Sequence, residues 1–252
     1  MEYLERTYRR QFRQDDLTYF QVVVKETDLA VGVRRERFDP ALAGWVEELV
    51  REQRALLEEY IKSDPDFLHT LTPHQLLPGA PELAVRMAEA AASVGVGPMA
   101  AVAGAFAGYV GAKLVKRSKD VIVENGGDIY LRSTRRRRIG IFAGASLLSN
   151  RIGLEIRPED TPLGICTSSA SVGPSLSLGQ ADAAVILSPS VSLADAAATA
   201  AANMVHSKND VQKAAEYAIT IPGVTGALII KEDQLAAVGQ LKLAPLNIIS
   251  SV

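Results

Sequence analysis

Runs of apolar residues separated by a short polar stretch predict a β-hairpin near the start of the chain. Residues 19–24 and 29–33 are rich in valine, and a polar run at 25–28 separates them. Valine and aromatic side chains favour strands, while a short polar stretch favours a turn. We therefore expect two antiparallel strands joined at residues 25–28.

Three later segments have the pattern of helices. Asp39 and Pro40 supply an N-cap and a proline at the first helical position, and an apolar stripe continues to about Lys62. The opposite face of this helix is rich in Glu and Arg, which is typical of a helix that covers one side of a core. A second helix fits residues 81–92, and a third fits residues 98–116.

The third predicted helix lies in a run without charge, residues 90–112, which is long enough for a membrane span. Alanine and glycine dominate this run, and residues 95–98 interrupt it, so a buried helix is the better interpretation. Gly104, Gly108 and Gly111 each cost helix stability, about 1 kcal/mol relative to alanine. Something must therefore approach this helix closely, either a neighbouring element or a ligand.

From residue 120 the pattern changes to short apolar runs that predict strands, with two helices among them. The predicted strands are 121–124, 129–132, 139–143, 152–156, 163–167, 183–187, 227–231 and 237–243, and the helices are 193–206 and 211–219. This order favours an α+β fold with helices packed on a largely antiparallel sheet. We expect one domain over residues 1–252, made of two intertwined lobes, the second being strand-rich from about residue 120.

The composition limits the possible partners. The 252 residues carry a net charge of −2, so electrostatics give no reason to expect nucleic acid or an anionic membrane. The single cysteine, Cys166, excludes an internal disulfide framework and fits a reducing cytoplasm. The charged start of the chain argues against a signal peptide. We expect a soluble cytoplasmic protein that binds a small molecule and forms a homo-oligomer.

The first candidate for chemistry is the loop Asn125-Gly126-Gly127-Asp128, between two predicted strands. Paired glycines permit positive φ and let backbone N–H groups converge on an anion. Asp128 can then accept from a ribose hydroxyl or help to hold a metal. The same residues are also typical of a tight hairpin, and both interpretations stand at this point.

The second candidate is the helix start that contains Asp195 and Thr199. A spacing of four residues places both on one helical face, and a carboxylate with a hydroxyl offers the oxygen ligands that Mg²⁺ takes. Ser192 and Asp195 also fit a capping box, which gives Asp195 a purely structural role. Thr199 is not needed for a cap, and the neighbouring alanines leave space for a ligand.

A third candidate is a hydroxyl-rich run that includes Thr167, Ser168 and Ser169. These side chains can line a site with adaptable hydrogen-bonding groups, although the run equally fits a polar loop. Cys166, beside them, is a weak candidate for a catalytic nucleophile. No histidine lies near it in the sequence, so a buried and inert thiol is the default interpretation.

The remaining candidates are histidines and arginines. His69 and His74 lie in a proline-flanked stretch and fit surface residues. His206 lies about 10 Å beyond Thr199 along one helical stripe, too far for a shared metal shell. Residues 135–138 are four consecutive arginines, which fit a solvated hairpin end, an anion-gripping edge of the site, or a contact across an oligomer.

Several of these segments together resemble a known family. The segments that carry the resemblance are 94–104 (VGVGPMAAVAG), 123–130 (VENGGDIY), 164–169 (GICTSS) and 194–199 (ADAAAT), with further similarity at 5–9 and 26–29. As a set they are specific, and they span nearly the whole chain. The chain resembles uncharacterised protein family 0280, a branch of the ApbE-like superfamily whose best-known members are FAD:protein FMN transferases.

The resemblance implies an ApbE-type fold, in which sheets related to the T-fold carry helices on one side. It also implies a glycine loop near a dinucleotide and an Asp-x-x-x-Thr helix start that holds Mg²⁺. The implied ligands are therefore Mg²⁺ and either FAD or FMN. By resemblance, the ligand-binding residues are Asn125, Gly126, Gly127, Asp128, Thr167 and Ser168, and the metal ligands are Asp195 and Thr199.

One departure from the flavin transferases bears on the reaction. They carry a histidine-rich segment before the metal helix, and relatives in this branch often have a histidine where Pro174 stands here. Without an imidazole there is no obvious general base for a protein hydroxyl, so flavin transfer is disfavoured. An enzyme of this kind would be a Mg²⁺-dependent, transferase-like protein. The alternatives are a non-catalytic accessory protein and, by resemblance, a factor in sulfur assimilation and homocysteine formation that uses Cys166.

Overall fold

The computed structural model describes residues 13–169 and 178–246. Within them, eight strands form a large sheet and three form a small one. The strands are β1 (Leu17–Val24), β2 (Thr27–Arg34), β3 (Val121–Asn125), β4 (Asp128–Arg132), β5 (Arg137–Gly140), β6 (Ile152–Ile156), β7 (Leu163–Ser168), β8 (Ala183–Ser188), β9 (Gly226–Lys231), β10 (Gln234–Gly239) and β11 (Leu243–Pro245). The helices are α1 (Pro40–Ser63), α2 (Asp66–His69), α3 (Glu82–Ala92), α4 (Val102–Leu114), α5 (Val191–Asn203) and α6 (Val211–Thr220).

The large sheet has the order β1-β2-β3-β4-β7-β8-β9-β10, and all of its neighbouring strands are antiparallel. The pairing of β2 with β3 sets Leu29 opposite Asn125 and joins the N-terminal hairpin to the later strands. The small sheet has the order β11-β6-β5 and is also antiparallel. The predicted α+β fold with a largely antiparallel sheet is confirmed.

Helices cover one face of the large sheet. The predicted start of α1 is confirmed, since the Asp39 carboxylate accepts from the Leu42 amide at 2.9 Å and Pro40 is the first helical residue. Helix α4 packs on β3 and β4, and α5 packs on β7 and β8. Eleven of the thirteen residues of α5 are buried, and seven of these are alanines. Their small side chains let a helix that other elements enclose approach the sheet closely.

The glycines of α4 mark places where other elements touch the helix. A Cβ atom on Gly111 would lie 2.1 Å from the Tyr130 ring, and one on Gly104 would lie 2.7 Å from the Asp195 Cβ. A Cβ atom on Gly108 would lie 3.2 Å from a methyl carbon of Val191. The neighbours that the glycines admit are therefore a strand and a helix.

Two hydrophobic cores lie on the two faces of the large sheet. One lies under the helices, and the second lies between the large sheet and the small sheet. Its fully buried members include Leu131, Leu154, Ile165 and Leu228. These residues come from strands of both sheets, and alternation along each strand sends one side chain to this core and the next to the other face. The large sheet therefore separates two apolar layers.

A buried ionic network fastens the small sheet to the large one. The Asp120 carboxylate accepts from the Ser133 hydroxyl at 2.7 Å, the Thr134 amide at 2.6 Å and the Arg34 guanidinium. Arg137, the first residue of β5, donates to the same carboxylate at 3.3 Å. These hydrogen bonds outweigh the opposing effect of burial and hold the pKa of Asp120 well below its ordinary value of 3.8.

Two predicted strands differ from the structure. The strand expected at 139–143 is β5, Arg137–Gly140, which is shorter and begins earlier. The final strand expected at 237–243 divides into β10 and β11, because Gly239 adopts a φ of 93° and the chain then crosses to the small sheet. None of the helices among the described residues has the length and apolar character that a membrane crossing requires.

Candidate functional site

A two-residue turn joins β3 to β4 and contains the glycine pair. Asn125 and Asp128 pair across it, and Gly126 and Gly127 have φ values of 70° and 106°. Glycine reaches such angles without steric cost, so the turn has the chemistry of a tight hairpin. The Gly127 amide donates to the Glu124 carboxylate at 2.8 Å. The sequence suggested that this amide could bind an anion, but in the structure the Glu124 carboxylate already accepts from it.

Strand alternation sends the side chains of this hairpin to opposite faces of the large sheet. Asn125 donates through Nδ2 to the carbonyl of Ala103, at the start of α4, at 3.1 Å. Asp128 lies two residues before Tyr130, which packs in the helix-side core, and so shares that face. Glu124 lines a cavity on the other face. The sheet therefore divides the candidate residues into two groups.

Asp195 lies in the second turn of α5, and its carboxylate serves a different helix. Ser190 is the N-cap of α5, with its hydroxyl accepting from a first-turn amide at 3.3 Å, so the capping box suggested by Ser192 and Asp195 is not formed. The buried Asp195 carboxylate accepts from the Gly104 amide at 2.8 Å. It thereby caps α4, whose own N-cap side chain makes no such bond.

Asp128 and Asp195 meet between the large sheet and the helices. Burial, and after it the negative charge of Asp128, raise the pKa of Asp195 well above its ordinary value of 3.8. Hydrogen bonds from the amides of Ala103 and Gly104 oppose this rise in part. Two carboxylates from distant segments therefore share one buried space, which we call the carboxylate pair.

Two hydroxyl groups lie on the same side of the sheet. Thr199 is one helical turn beyond Asp195 and is half-buried. Ser168, at the end of β7, has a buried Oγ with no hydrogen-bond partner among the described residues. Leaving such a group unbonded costs about 1–3 kcal/mol, which makes it uncommon in native structures. This oxygen is suited to a ligand or a cation.

Cys166 is fully buried between β7 and α5. Its thiol donates to the carbonyl of Val191, with 3.4 Å between sulfur and oxygen. Burial first, and then Asp128 and Asp195, raise the pKa of this thiol well above its ordinary value. Reactive cysteines have lowered pKa values and accessible sulfur atoms, so the geometry favours the inert thiol over the nucleophile.

An open cavity of about 260 Å³ lies on the opposite face, between the two sheets. Gly126, Gly127, Thr167 and Ser169 are among the described residues that line it, and the carboxylate pair is not. Most of the remaining wall consists of branched apolar and aromatic side chains. Residues of the glycine turn and of the hydroxyl-rich run therefore lie on both faces of the large sheet, at the end that carries the β3–β4 turn.

Sequence reasoning missed Glu124, although the chain carries a signal for it. Glu124 is an acid at the end of an apolar run, in a strand whose five residues are all buried. Alternation places it on the face opposite Asn125, and the turn glycine three positions later supplies an amide within reach. A buried acid beside a glycine turn is the pattern that identifies this residue.

The four arginines do not behave as one group. Arg135 and Arg136 are exposed and form long ion pairs, at 3.5 Å and 3.6 Å, with acids of neighbouring segments. Arg137 is buried and belongs to the Asp120 network, so the prediction of a solvated hairpin end is wrong for this residue. Within β5, alternation explains why Arg137 is buried and the next residue, Arg138, is exposed.

The three histidines of the chain occupy two kinds of setting. His69 and His206 are exposed. The prediction that His74 is a surface residue is wrong, because its Nε2 bonds to the buried carboxylate of Asp64 at 2.8 Å. Pro174, where relatives often have a histidine, lies outside the described residues, as does the rest of the hydroxyl-rich run at 170–177.

Comparison with protein families and proteins of known sequence identifies relatives over most of the chain. A family model described as "AbpE bacteria" matches residues 9–223. A UPF0280 protein of Methanosarcina acetivorans is 44% identical over 205 residues, which are 81% of each chain. A UPF0280 protein of Methanocella arvoryzae is 42% identical over 219 residues, covering 86% of this chain and 87% of that protein.

Solved structures share the fold at low sequence identity. The apo flavinyl transferase ApbE of Pseudomonas stutzeri has a TM-score of 0.54 and 15% identity, with 90% of this chain and 95% of that chain covered. The flavin transferase ApbE of Vibrio cholerae has a TM-score of 0.54 and 13% identity, with 88% and 96% covered. The structural likeness agrees with the family model and with the relatives of close sequence. The chain therefore belongs to the UPF0280 family of ApbE-like proteins.

Proposed function

We propose that this protein binds a flavin or another phosphate-bearing nucleotide together with Mg²⁺, through the carboxylate pair and Thr199. The observation that carries the proposal is the meeting of Asp128 and Asp195 in one buried space. Burial first, and the charge of Asp128 after it, raise the pKa of Asp195, so keeping both carboxylates ionised there is costly. Asp128 and Asp195 would hold a divalent cation, whose positive charge would offset the repulsion and let both carboxylates remain ionised.

The donor set of this region fits Mg²⁺. Among the described residues, no three His, Cys, Asp or Glu side chains form a cluster that would hold a metal by themselves. Mg²⁺ commonly takes one or two carboxylates and completes its shell with hydroxyls, water and substrate phosphates. Asp128 and Asp195 would supply the carboxylates, and Thr199 and Ser168, whose hydroxyl has no partner within the described part of the chain, would supply neutral oxygens. A phosphate-bearing ligand is the natural completion of such a set.

The neighbouring turn would position the ligand. Gly126 and Gly127 bring backbone to the end of the sheet without side chains, and Thr167 and Ser169 offer hydrogen-bonding groups beside it. Asn125 is fixed to the start of α4 by its bond to Ala103, which keeps the turn close to the carboxylate pair. These residues therefore hold and orient, and none of them is an obvious proton carrier.

The solved relatives are named flavin transferases, and the shared fold supports a flavin or a related nucleotide as the ligand. We do not extend the transfer reaction itself to this chain. Its sequence lacks a histidine between Ser169 and Asp195, and the buried Cys166 thiol does not replace one. We therefore propose nucleotide binding, with any reaction being a Mg²⁺-dependent transfer other than flavin transfer.

A thermal-shift series tests this proposal. The unfolding temperature is measured with FAD, FMN and ADP, each with Mg²⁺ and with EDTA. A ligand at a hundred times its Kd adds about 2.7 kcal/mol of stability, which moves the midpoint by several degrees. We expect this shift for at least one ligand with Mg²⁺, and its loss in Asp195→Asn and Thr199→Val. Asp233→Asn, a change at an exposed acid, is the matched control. No shift with any of the ligands contradicts the proposal.

A further inference from the structure

A second open cavity lies on the helix face of the large sheet. Its volume is about 670 Å³, within the range of about 300–1,000 Å³ that is typical of small-molecule sites. Helices α3 and α4, strand β4 and the residues that begin α5 form its walls. Neither the carboxylate pair nor Thr199 is among the described residues that line it. We call this cavity the α5 groove, and it is separate from the proposed Mg²⁺ site.

The first turn of α5, a helix of thirteen residues, forms part of the groove wall. Ser190 accepts from the Leu193 amide through its hydroxyl and from the Ala194 amide through its carbonyl. The amides of Val191 and Ser192 make no hydrogen bond within the described part of the chain. Unpaired amides and the helix dipole place partial positive charge at this end of α5, which favours an anion.

Two nearly buried hydroxyl groups in the groove have no hydrogen-bond partner among the described residues. Ser192 is 8% exposed and Tyr130 is 7% exposed, and both line the groove. Buried polar side chains in native structures are nearly always hydrogen-bonded, so these hydroxyls are suited to a group that enters the groove. Burial raises the pKa of Tyr130 above its ordinary value of 10.0, so its hydroxyl keeps its proton at neutral pH and can donate.

The charges around the groove also favour an anion. Arg86 and Glu89 both line the groove and are both exposed, so their opposite charges largely cancel. Arg132 is half-buried, and its positive charge acts on the Tyr130 hydroxyl, where it opposes part of the rise in pKa. Positive charge therefore remains at the two places where the unpaired hydroxyls lie, beside Arg132 and at the start of α5.

We infer that the α5 groove binds an oxyanion, the carboxylate or phosphoryl group of a small molecule, at the N-terminus of α5. Its oxygens accept from the Ser192 and Tyr130 hydroxyls and from the unpaired amides of the first turn. Each of these groups can donate, and an anion supplies the acceptors that they lack. The inference goes beyond the proposed function, because none of these groups belongs to the Mg²⁺ site.

Nuclear magnetic resonance of the ¹⁵N-labelled protein tests the inference. The protein is titrated with inorganic phosphate and with acetate, in EDTA and at an ionic strength kept constant with sodium chloride. We expect saturable shifts of the Val191 and Ser192 amide resonances with at least one of the two anions, and the tighter of the two identifies the type of group. Absence of a saturable shift at these amides with both anions overturns the inference, and so do equal shifts with chloride.

Ser192→Ala and Tyr130→Phe test the two hydroxyls separately. Alanine suits a helix rich in buried alanines, and phenylalanine keeps the ring that packs on Gly111, so both proteins should fold. Each variant loses one hydrogen bond to a charged ligand, so the Kd of the anion should rise about tenfold. Ser63→Ala is the matched control, since the Ser63 hydroxyl lies at the end of α1 and already donates to the Tyr60 carbonyl at 2.8 Å. Affinities equal to that of the control in both variants overturn the assignment.

Thr199→Val separates this site from the proposed Mg²⁺ site. The change removes a proposed metal ligand that does not line the α5 groove, so the Kd of the anion in EDTA should be the same as in the wild type. Loss of anion binding in this variant would place the anion at the Mg²⁺ site and contradict the inference. Nucleotide binding with Mg²⁺ and anion binding in EDTA can therefore fail independently.

Discussion

The two faces of the large sheet differ most at the end that carries the β3–β4 turn. On the helix face, small residues of α4 and α5 let helices and strands touch, and the buried carboxylate pair lies in that layer. On the other face, branched apolar side chains keep two sheets apart and leave about 260 Å³ open. The helix face therefore contains buried charge in a tightly packed layer, and the other face contains an open cavity with largely apolar walls.

A single hairpin serves both faces because its side chains alternate. Glu124 points to the cavity and Asn125 to α4, although they are adjacent in the sequence. Substitutions at neighbouring positions should therefore have different consequences. Changes on the helix face should alter stability and the response to cations, and changes on the cavity face should have smaller effects on stability.

The largest effect should come from removing Asp120, which fastens the small sheet over the cavity. Asp120→Ala removes the carboxylate that Arg34, Ser133 and Thr134 share with Arg137, and should cost about 3–5 kcal/mol of unfolding free energy even though Arg137 keeps its hydrogen bonds to Asp16. Urea unfolding measures this, with Asp233→Ala as the exposed control. A loss no larger than in the control contradicts the role of the network in holding the two sheets together.

The same carboxylate predicts a dependence on pH. The pKa of Asp120 in the folded protein lies below its ordinary value of 3.8, so its contribution to stability is complete above that value. The contribution is lost as the pH falls through the lowered pKa. The difference in unfolding free energy between wild type and Asp120→Ala should therefore be constant from pH 5 upward and shrink in stronger acid, and a difference that grows in acid contradicts it.

The next largest effect should come from Gly111→Leu, and comparing it with Ala30→Leu tests whether the helix face is packed more tightly than the cavity face. Gly111→Leu places atoms where the Tyr130 ring already lies, 2.1 Å from the added Cβ, and should cost at least about 3 kcal/mol. Ala30→Leu adds a larger side chain to the cavity face and should change the unfolding free energy by less than about 1 kcal/mol. Equal losses for the two variants in urea would show that the cavity face is packed as tightly as the helix face.

Asp195→Asn should stabilise the protein in the absence of Mg²⁺. The pKa of Asp195 is raised, so its ionisation lowers stability as the pH rises above 3.8, and an amide removes that penalty. We expect a gain of about 1 kcal/mol at pH 8 in EDTA and a smaller one at pH 4. The amide oxygen can still accept from Gly104, so the cap on α4 is retained. A loss of stability at pH 8 would show that the cap outweighs the repulsion from Asp128.

The smallest effect should come from Thr167→Val on the cavity face. Thr167 is half-buried, and a change of this kind is expected to shift the unfolding free energy by about 0.5 kcal/mol or less. The thermal shift that a nucleotide produces with Mg²⁺ should become smaller, because one hydrogen-bonding group for the ligand is removed, but it should not disappear. Loss of that shift would place Thr167 with the metal ligands and remove the division between the faces.

The sequence predicted the parts of the fold that depend on local signals. The Asp39-Pro40 start of α1 and the two strands expected at 121–124 and 129–132 depend on short segments, and the structure confirms them. The prediction for the end of the chain failed because β11 pairs with β6 in another sheet. No local pattern reports such a long-range partner, and the cavity depends on it.

The candidate site was predictable in part for the same reason. The family resemblance brought Asp128 and Asp195 into one hypothesis, and in the structure both are buried and the charge of Asp128 raises the pKa of Asp195, after the larger effect of burial. The contact of Asp195 with Gly104 joins residues 91 positions apart, so sequence alone could assign it only to its own helix. Glu124 was within reach of sequence reasoning, because alternation from Asn125 fixes its face.

The bond between Asp195 and Gly104 has a consequence for the order in which the newly made chain can fold. Helix α4 leaves the ribosome 91 residues before its cap does, an interval of about 5–18 s at about 5–20 residues per second. During that time the first amides of α4 have no acceptor from Asp195, since it has not yet been synthesised. The helix-side layer is thus completed only after α5 emerges, so a nascent chain stalled before Asp195 should expose α4 to proteases and chaperones.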